Sequence, residues 1–403
     1  MRWLPAEAWV RNQYVMVATV FVVFTGFAFV LPFLPLYVRM LGVQGDETVA
    51  LWSGVLVGIS PLIAGLMAPV WGRLADRHGQ KRMVVRALVS YVLLLVLSAA
   101  VTRVEQLLAL RIGVGLFGGI GPLGLAMATS LAPRDQTGRA VGLIQAAQIL
   151  AAAVGPLTGG LLADTIGIRA TFVVTAALCA VALWLVARYY VESAPVAPAV
   201  AVGNGAPLLR RPGVIALLMV LFLVNFVGRS FTPILPLHLQ RLAVPAASLA
   251  LATGVLISAY SVAAAVSSTV LGRATRRFPP RALLAASLAA GAATVLPMAL
   301  ISSFTVFLAL ALLLGLTSGG ALTICYTIGG LMVPSAQRAT AFGFFSLAAL
   351  FGGAISPTIA GLLAHWDLRG IYYLDALLFV LLTAGLLAFG VSGATVPSRA
   401  GEA

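Results

Sequence analysis

Apolar residues in this chain gather into long uninterrupted runs, separated by short segments that hold nearly all the charge. The runs are about 20 residues each, the length a helix needs to cross a hydrocarbon layer roughly 30 Å thick. In lipid, only helices and closed barrels satisfy every backbone polar group. Strand-like alternation is absent and Ala, Leu and Gly dominate, so the pattern predicts helices. Twelve spans are expected, at about 14–38, 48–71, 83–101, 105–128, 138–163, 169–190, 213–239, 248–272, 281–301, 304–329, 338–364 and 370–392. Between the sixth and seventh lies VESAPVAPAVAVGNGAPLLRRP, residues 191–212, rich in Ala, Pro and Gly and without helical patterning. The expected architecture is an all-α polytopic membrane protein. Two six-helix bundles, residues 1–190 and 213–403, are joined by that linker.

The two halves repeat. PFLPLYVR at 32–39 matches PILPLHLQ at 233–240, and 142–163 matches 343–364, both at a shift of 201; LALRIGVGLFGG at 108–119 matches LALALLLGLTSGG at 308–320 at a shift of 200. Parallel six-span repeats suit a transporter whose halves rock about a midplane site. The repeat also separates architecture from specialisation. Pro35/Pro236, Pro156/Pro357 and Gly160/Gly361 are shared, whereas Arg111 faces Ala311, Asp76 faces Arg276 and Arg229 faces Ala28.

Composition supports the membrane reading: 61% of residues are hydrophobic, 9% are charged and the mean hydropathy is +1.07. The net charge of +14 does not indicate nucleic acid, because the bases are spread over short loops with no basic domain to grip a phosphate backbone. They report orientation instead. With both termini cytoplasmic, eighteen of the 25 Lys and Arg residues fall in cytoplasmic segments and five in outer loops, leaving Arg111 and Arg229 inside spans. Such a bias is the positive-inside signal. Cys179 and Cys325 fall inside spans and read as small core residues. The first apolar run has no small-residue cleavage signature and reads as a retained helix.

Residues 72–82, GRLADRHGQKR, concentrate charge in what reads as the loop between spans two and three. This stretch resembles the loop 2–3 signature of the major facilitator superfamily, roughly G-x-L-A-D-R-x-G-x-K-R. AVGPLTGG at 153–160 resembles the fifth-helix signature of that superfamily's drug:proton antiporters, with Ala151 where a glycine is usual, and Arg111 with Gly115 resembles their fourth-helix signature. The resemblance covers the whole chain and extends to bacterial multidrug efflux proteins through LPFLPLYVRMLGV at 31–43 and LWSGVLVG at 51–58. It implies that Gly72, Arg73, Asp76, Arg77, Gly79, Lys81 and Arg82 form a cytoplasmic gate. Asp76 would sit at the start of helix eleven, where a carboxylate is favoured beside unpaired N–H groups. The alternative is a basic loop that only sets topology. For Gly155, Pro156, Gly159 and Gly160 the resemblance implies a hinge and outer seal, against ordinary small-residue packing. For Arg111 it implies substrate and proton coupling, against an arginine that snorkels to the headgroups.

Other polar and aromatic residues at cavity depth are Phe29 and Phe33, Gln145 and Gln148, Asn225, Tyr260, Tyr326, Phe344 and Phe345; each also reads as helix packing. Arg229 lies near mid-membrane in span seven. It faces the central cavity, pairs with Asp375 of span twelve, or does neither. Asp375 is the one acid of eleven away from termini, loops and helix ends, which makes it the candidate proton site. The first span lacks the carboxylate that many proton-coupled exporters carry there, so anionic or zwitterionic substrates are expected alongside cationic ones.

No phosphate loop, no nucleophile elbow and no metal-ligand spacing among His78, His238 and His365 appears, so neither ATP hydrolysis, a cofactor nor an enzyme is expected. The expected function is proton-coupled export of small amphipathic compounds by a monomer in the bacterial inner membrane. Its partners are the substrate, protons and the bilayer. The rival reading is an exporter or facilitator of one metabolite, such as a sugar or organic anion.

Overall fold

The computed structural model describes residues 8–120, 137–191, 213–275, 277–333 and 338–389. Among these are fifteen α-helices: α1 (Ala8–Val30), α2 (Leu34–Met40), α3 (Asp46–His78), α4 (Gln80–Ala100), α5 (Val104–Phe117), α6 (Thr137–Ile166), α7 (Ile168–Tyr189), α8 (Val214–Ser230), α9 (Leu235–Arg241), α10 (Leu249–Ala274), α11 (Pro280–Met298), α12 (Phe304–Ser318), α13 (Ala321–Met332), α14 (Arg338–Leu363) and α15 (Gly370–Phe389). Ten helical stretches are long and apolar enough to cross a membrane, and α8 with α9, bent by 46°, makes an eleventh. The fourth expected span is described only as far as residue 120. The linker lies outside the described residues except for Val191, whose backbone is held from both sides by the Asn12 amide at 2.7 and 3.0 Å.

The helices end where the chain chemistry requires. Proline lacks an N–H and breaks a helical ladder, so LPFLP splits the first span at 31–33 and TPILP splits the seventh after Ser230. Gly79 separates α3 from α4 at φ +95°, a left-handed conformation open to glycine. The charged stretch GRLADRH is therefore the last two turns of α3, not a loop. Arg73, Leu74, Ala75 and Arg77 favour a helix, and only Gly79 forces the turn.

Helix α1 packs on α6 and α7, its counterpart α8 packs on α14, and the halves meet along α3 against α14 and α6 against α10. Arg39 donates to Gln240 at 2.7 Å, and these positions are 201 apart. A residue bonded to its own repeat mate lies beside the pseudo-twofold axis, so the sequence repeat is a spatial one.

Candidate functional site

The two halves touch through backbone at the end of the molecule remote from Gly79. Glycines make this possible. A Cβ at Gly254 would lie 2.1 Å from the Pro156 carbonyl oxygen, and one at Gly54 would lie 2.2 Å from that of Pro357. These are repeat-related contacts, as are Gly160 on Ala250 and Gly361 on Ala50, each at 2.5 Å. The Leu157 N–H reaches Ser258 Oγ of the other half at 3.0 Å. In the fifth-helix motif, Pro156 and Gly160 thus face the opposite half, while Gly155 and Gly159 face Ala28 and Phe29 of α1. One helix is wedged between two partners by residues of alternating duty. Gly54 and Gly254 escape a motif-based reading; the repeat at a shift of 200 is the signal that finds them.

A rim of polar contacts surrounds this seal. Asp164 accepts from the Leu251 N–H at the start of α10 at 2.8 Å, and its repeat mate His365 lies 3.5 Å from Glu47 at the start of α3. Arg39 pairs with Asp46, which Arg241 approaches to 4.0 Å. Partly exposed pairs of this kind contribute little each. The contacts of Asp164 with Leu251, Glu47 with His365 and Asp46 with Arg241 span the halves, and that position matters more than their energy.

At the other end, Lys81 donates to the carbonyls of Ala187 and Tyr190 at 3.0 and 2.7 Å. The chain's single lysine thus caps the C-terminus of α7, where a cation stabilises by roughly 0.3–1 kcal/mol. Lys81→Met should lower the thermal unfolding midpoint in detergent, and Lys81→Arg should restore part of the loss. Arg73, Arg77 and Arg82 are exposed. The expectations for Gly72 and for the Asp76 carboxylate rest on side chains outside the described residues. Sequence reasoning missed Trp71 and Arg86. The Arg86 guanidinium sits 3.3 Å over the Trp71 ring, and the two donate to the carbonyls of Phe117 and Leu116 at 3.1 and 2.7 Å. Together they satisfy the end of α5.

Arg111 is buried, at 2% exposure, so it does not snorkel. Its Nε donates to the Leu56 carbonyl at 3.1 Å, and its own carbonyl accepts from Ser60 at 2.6 Å. Both partners lie on α3, within the same half.

Arg229 lines a cavity of about 190 Å³ between α8, α10, α12, α13 and α15, with Asn225, Tyr260, Ser318, Leu322 and Phe379. Its stem runs past Gly353 of α14, 3.5 Å from where a Cβ would be, an ordinary contact distance. No Arg229–Asp375 ion pair occurs among the described residues; the Asp375 carboxylate accepts instead from Ser230, the next residue along α8. The cavity therefore joins Asn225, Arg229 and Tyr260 of the expected set.

The aromatic wall does not form as expected. Phe29 is buried against Gly159 and Phe33 is wholly buried at the break of the first span. Phe345 is buried against Gly329 and Phe342, whose ring also stacks on Tyr326 at 5.8 Å. Gly329 leaves room for the Phe345 ring, while Gly159 lets α6 close on the Phe29 backbone. Gln145 is exposed and Gln148 half-buried on α6, Phe344 is half-buried on α14, and none of the three lines the cavity. Cys179 and Cys325 are free and buried, and no group of metal ligands occurs among the described residues.

The family model described as Major Facilitator Superfamily matches residues 16–255 and 248–402. The chain belongs to that superfamily. Among its major facilitator relatives, Multidrug resistance protein MdtG of Yersinia enterocolitica is 35% identical over 79% of this chain and 78% of its own length. MdtG of Proteus mirabilis is 30% identical over 92% and 93%, and the PmrA homolog of Lactococcus lactis, a multi-drug resistance efflux pump, is 31% identical over 89% of each. Two solved transporter structures share the fold. A bacterial homologue of the human lysosomal transporter Spinster, inward-facing and unoccupied, superposes with a TM-score of 0.78 at 17% identity, over 94% of this chain and 96% of its own. A D-xylose–proton symporter does so with 0.75 at 15%, over 95% and 99%.

Proposed function

We propose that this major facilitator is a secondary active exporter of small amphipathic compounds, drugs among them, in the bacterial inner membrane. It antiports substrate against protons, acts as a monomer and not as an enzyme, and keeps both termini in the cytoplasm. The observation that carries this reading is its likeness to multidrug resistance proteins over most of both chains. The seal supports it too. Backbone held close to backbone by glycines separates and re-forms as rocking halves require. The gate at residues 72–82 is the second part of the cycle, with Asp76 as its latch.

The cavity points to substrate charge. An arginine, an amide and two hydroxyls face an apolar wall, and no carboxylate lines it among the described residues. Substrates with an anionic or zwitterionic head and an apolar body fit such a lining. Removing a charge-assisted contact costs about 1.5–3 kcal/mol, so Arg229→Ala should raise KM for an anionic amphiphile about tenfold or more and leave a matched cation little changed. Uptake into inverted vesicles measures both. Export of cations alone by the unaltered protein would overturn this charge preference.

A further inference from the structure

The C-terminal half holds a run of buried polar atoms that its twin lacks. His238 on α9 is 3% exposed, and Tyr372 and Asp375 on α15 are 1% exposed. The imidazole packs against the Tyr372 ring, centroids 5.2 Å apart, and against Phe307 at 5.0 Å. Neither imidazole nitrogen has a hydrogen-bond partner among the described residues, nor does the Tyr372 hydroxyl or Asp375 Oδ1. Asp375 Oδ2 accepts from Ser230. Buried polar atoms are almost always paired, and each exception requires a reason.

The fold supplies no such reason, because the N-terminal half builds the same place without orphans. At shifts of 201 and 200, His238 corresponds to Tyr37, Tyr372 to Phe172 and Asp375 to Thr175. Tyr37 and Phe172 make the same ring contact, centroids 5.0 Å apart, and the Tyr37 hydroxyl donates to the Ser98 carbonyl at 2.7 Å. The Thr175 hydroxyl reaches the carbonyls of Gly26 and Thr171 at 2.8 and 2.7 Å. One half therefore carries a histidine, a tyrosine and an aspartate where its twin packs a tyrosine, a phenylalanine and a threonine.

Their placement forms a line. At the rim, Arg241, Arg369 and Asp367 lie close enough to act on His238. Inward, Tyr372 and then Asp375 follow one turn apart on α15. Beyond Asp375 lies Tyr260, which Arg229 also faces, at the cavity. Helix α11, packed along α15, brings only Arg281, which is bonded to the Leu386 carbonyl at 2.9 Å at the opposite end. Helix α12 has no titratable residue. Ser230 is the last residue of α8, and the chain bends by 46° between it and α9. The cluster thus straddles the break in the seventh span.

We propose that His238, Tyr372 and Asp375 relay the coupling proton between the rim and the Arg229 cavity, and that proton arrival at Asp375 loosens Ser230 at the break. A ring nitrogen of His238 takes a proton from rim water. The Tyr372 hydroxyl accepts that proton as it passes its own to Asp375 Oδ1, directly or through one bridging water. Only N–H and O–H bonds change, and one proton moves inward. A hydrogen bond to a carboxylate is about twice as strong as one to a neutral carboxyl, so protonated Asp375 holds Ser230 less firmly and the bend is freed to move. This rests on the antiport reading above.

The test uses full-length protein in liposomes with a pH-sensitive dye inside and an amphipathic drug outside. Substrate-driven proton movement should fall about a hundredfold in Asp375→Asn, Tyr372→Phe and His238→Gln, the low end of what general acid–base groups contribute. Drug-for-drug exchange at equal pH should continue in all three. Tyr372→Phe removes one oxygen from a well-packed ring and decides the matter even where Asp375→Asn fails to accumulate. Proton movement in the unaltered protein that persists undiminished in Tyr372→Phe and His238→Gln overturns the relay and leaves antiport standing. Drug flux without any proton movement in the unaltered protein overturns both.

Discussion

Gly254→Val holds the two halves apart at their seal and cuts transport about tenfold or more, since overpacking of this kind costs roughly 1–3 kcal/mol and each 1.4 kcal/mol is tenfold. The reason is geometric. The added Cβ would sit 2.1 Å from the Pro156 carbonyl oxygen, 2.8 Å from its carbon and 3.1 Å from the Leu157 Cα. All three are backbone atoms, so no rotamer change makes room and the helices must separate. Only the state in which α6 meets α10 here is penalised, so the substitution shifts the balance between conformations without attacking either half's core. Gly54→Val, against Pro357, should act alike through the repeat-related contact. A cysteine at Ser258, which the Leu157 N–H contacts in the closed seal, reports the separation. Its labelling by an impermeant thiol reagent should rise in either variant, in a background without Cys179 and Cys325. Normal transport with unchanged labelling would show that the seal does not gate the cycle.

What the sequence makes legible here follows from the range of each interaction. Span lengths and the two-fold repeat are local or periodic, and they appear in the structure nearly as read, while the proline breaks at 31–33 and after Ser230 interrupt spans expected to be continuous over 14–38 and 213–239. Side-chain partners are not local. Phe29 and Phe345 lie on suitable helix stripes, but periodicity does not reveal that Gly159 lets α6 close on the Phe29 backbone or that Gly329 leaves room for the Phe345 ring. His238 reads as a residue near a helix end. Its burial is created by Phe307 and Tyr372, brought from distant helices. The charged stretch at 72–82 shows the opposite error: charge suggested a loop, while its residues continue α3 to His78 and leave the turn to Gly79 alone. The internal repeat is the richest signal. It marks Gly254 through Gly54 and marks His238, Tyr372 and Asp375 as departures from Tyr37, Phe172 and Thr175.

The same comparison predicts what Arg111→Met will do. Arg111 and Ala311 occupy equivalent places on α5 and α12, both buried, and the second half packs there without any charge. The position therefore does not need a guanidinium to fold. A buried charge is costly to desolvate, and replacing one by an apolar side chain of similar length is often neutral or stabilising. Arg111→Met should keep or raise the thermal unfolding midpoint in detergent. Transport should nonetheless fall about a hundredfold, the scale of losing a positioned group that acts on a proton or on charge in transit. Arg111→Lys should recover only part, because an ammonium lacks the planar fork that reaches the Leu56 carbonyl through Nε. An arginine that merely pins α5 to α3 behaves the other way: its loss strips the Leu56 carbonyl of a donor, lowers the midpoint and reduces transport only as far as the amount of folded protein falls. Measuring midpoint and flux on the same preparations separates the two, and a lower midpoint with proportionate flux would remove Arg111 from the coupling machinery.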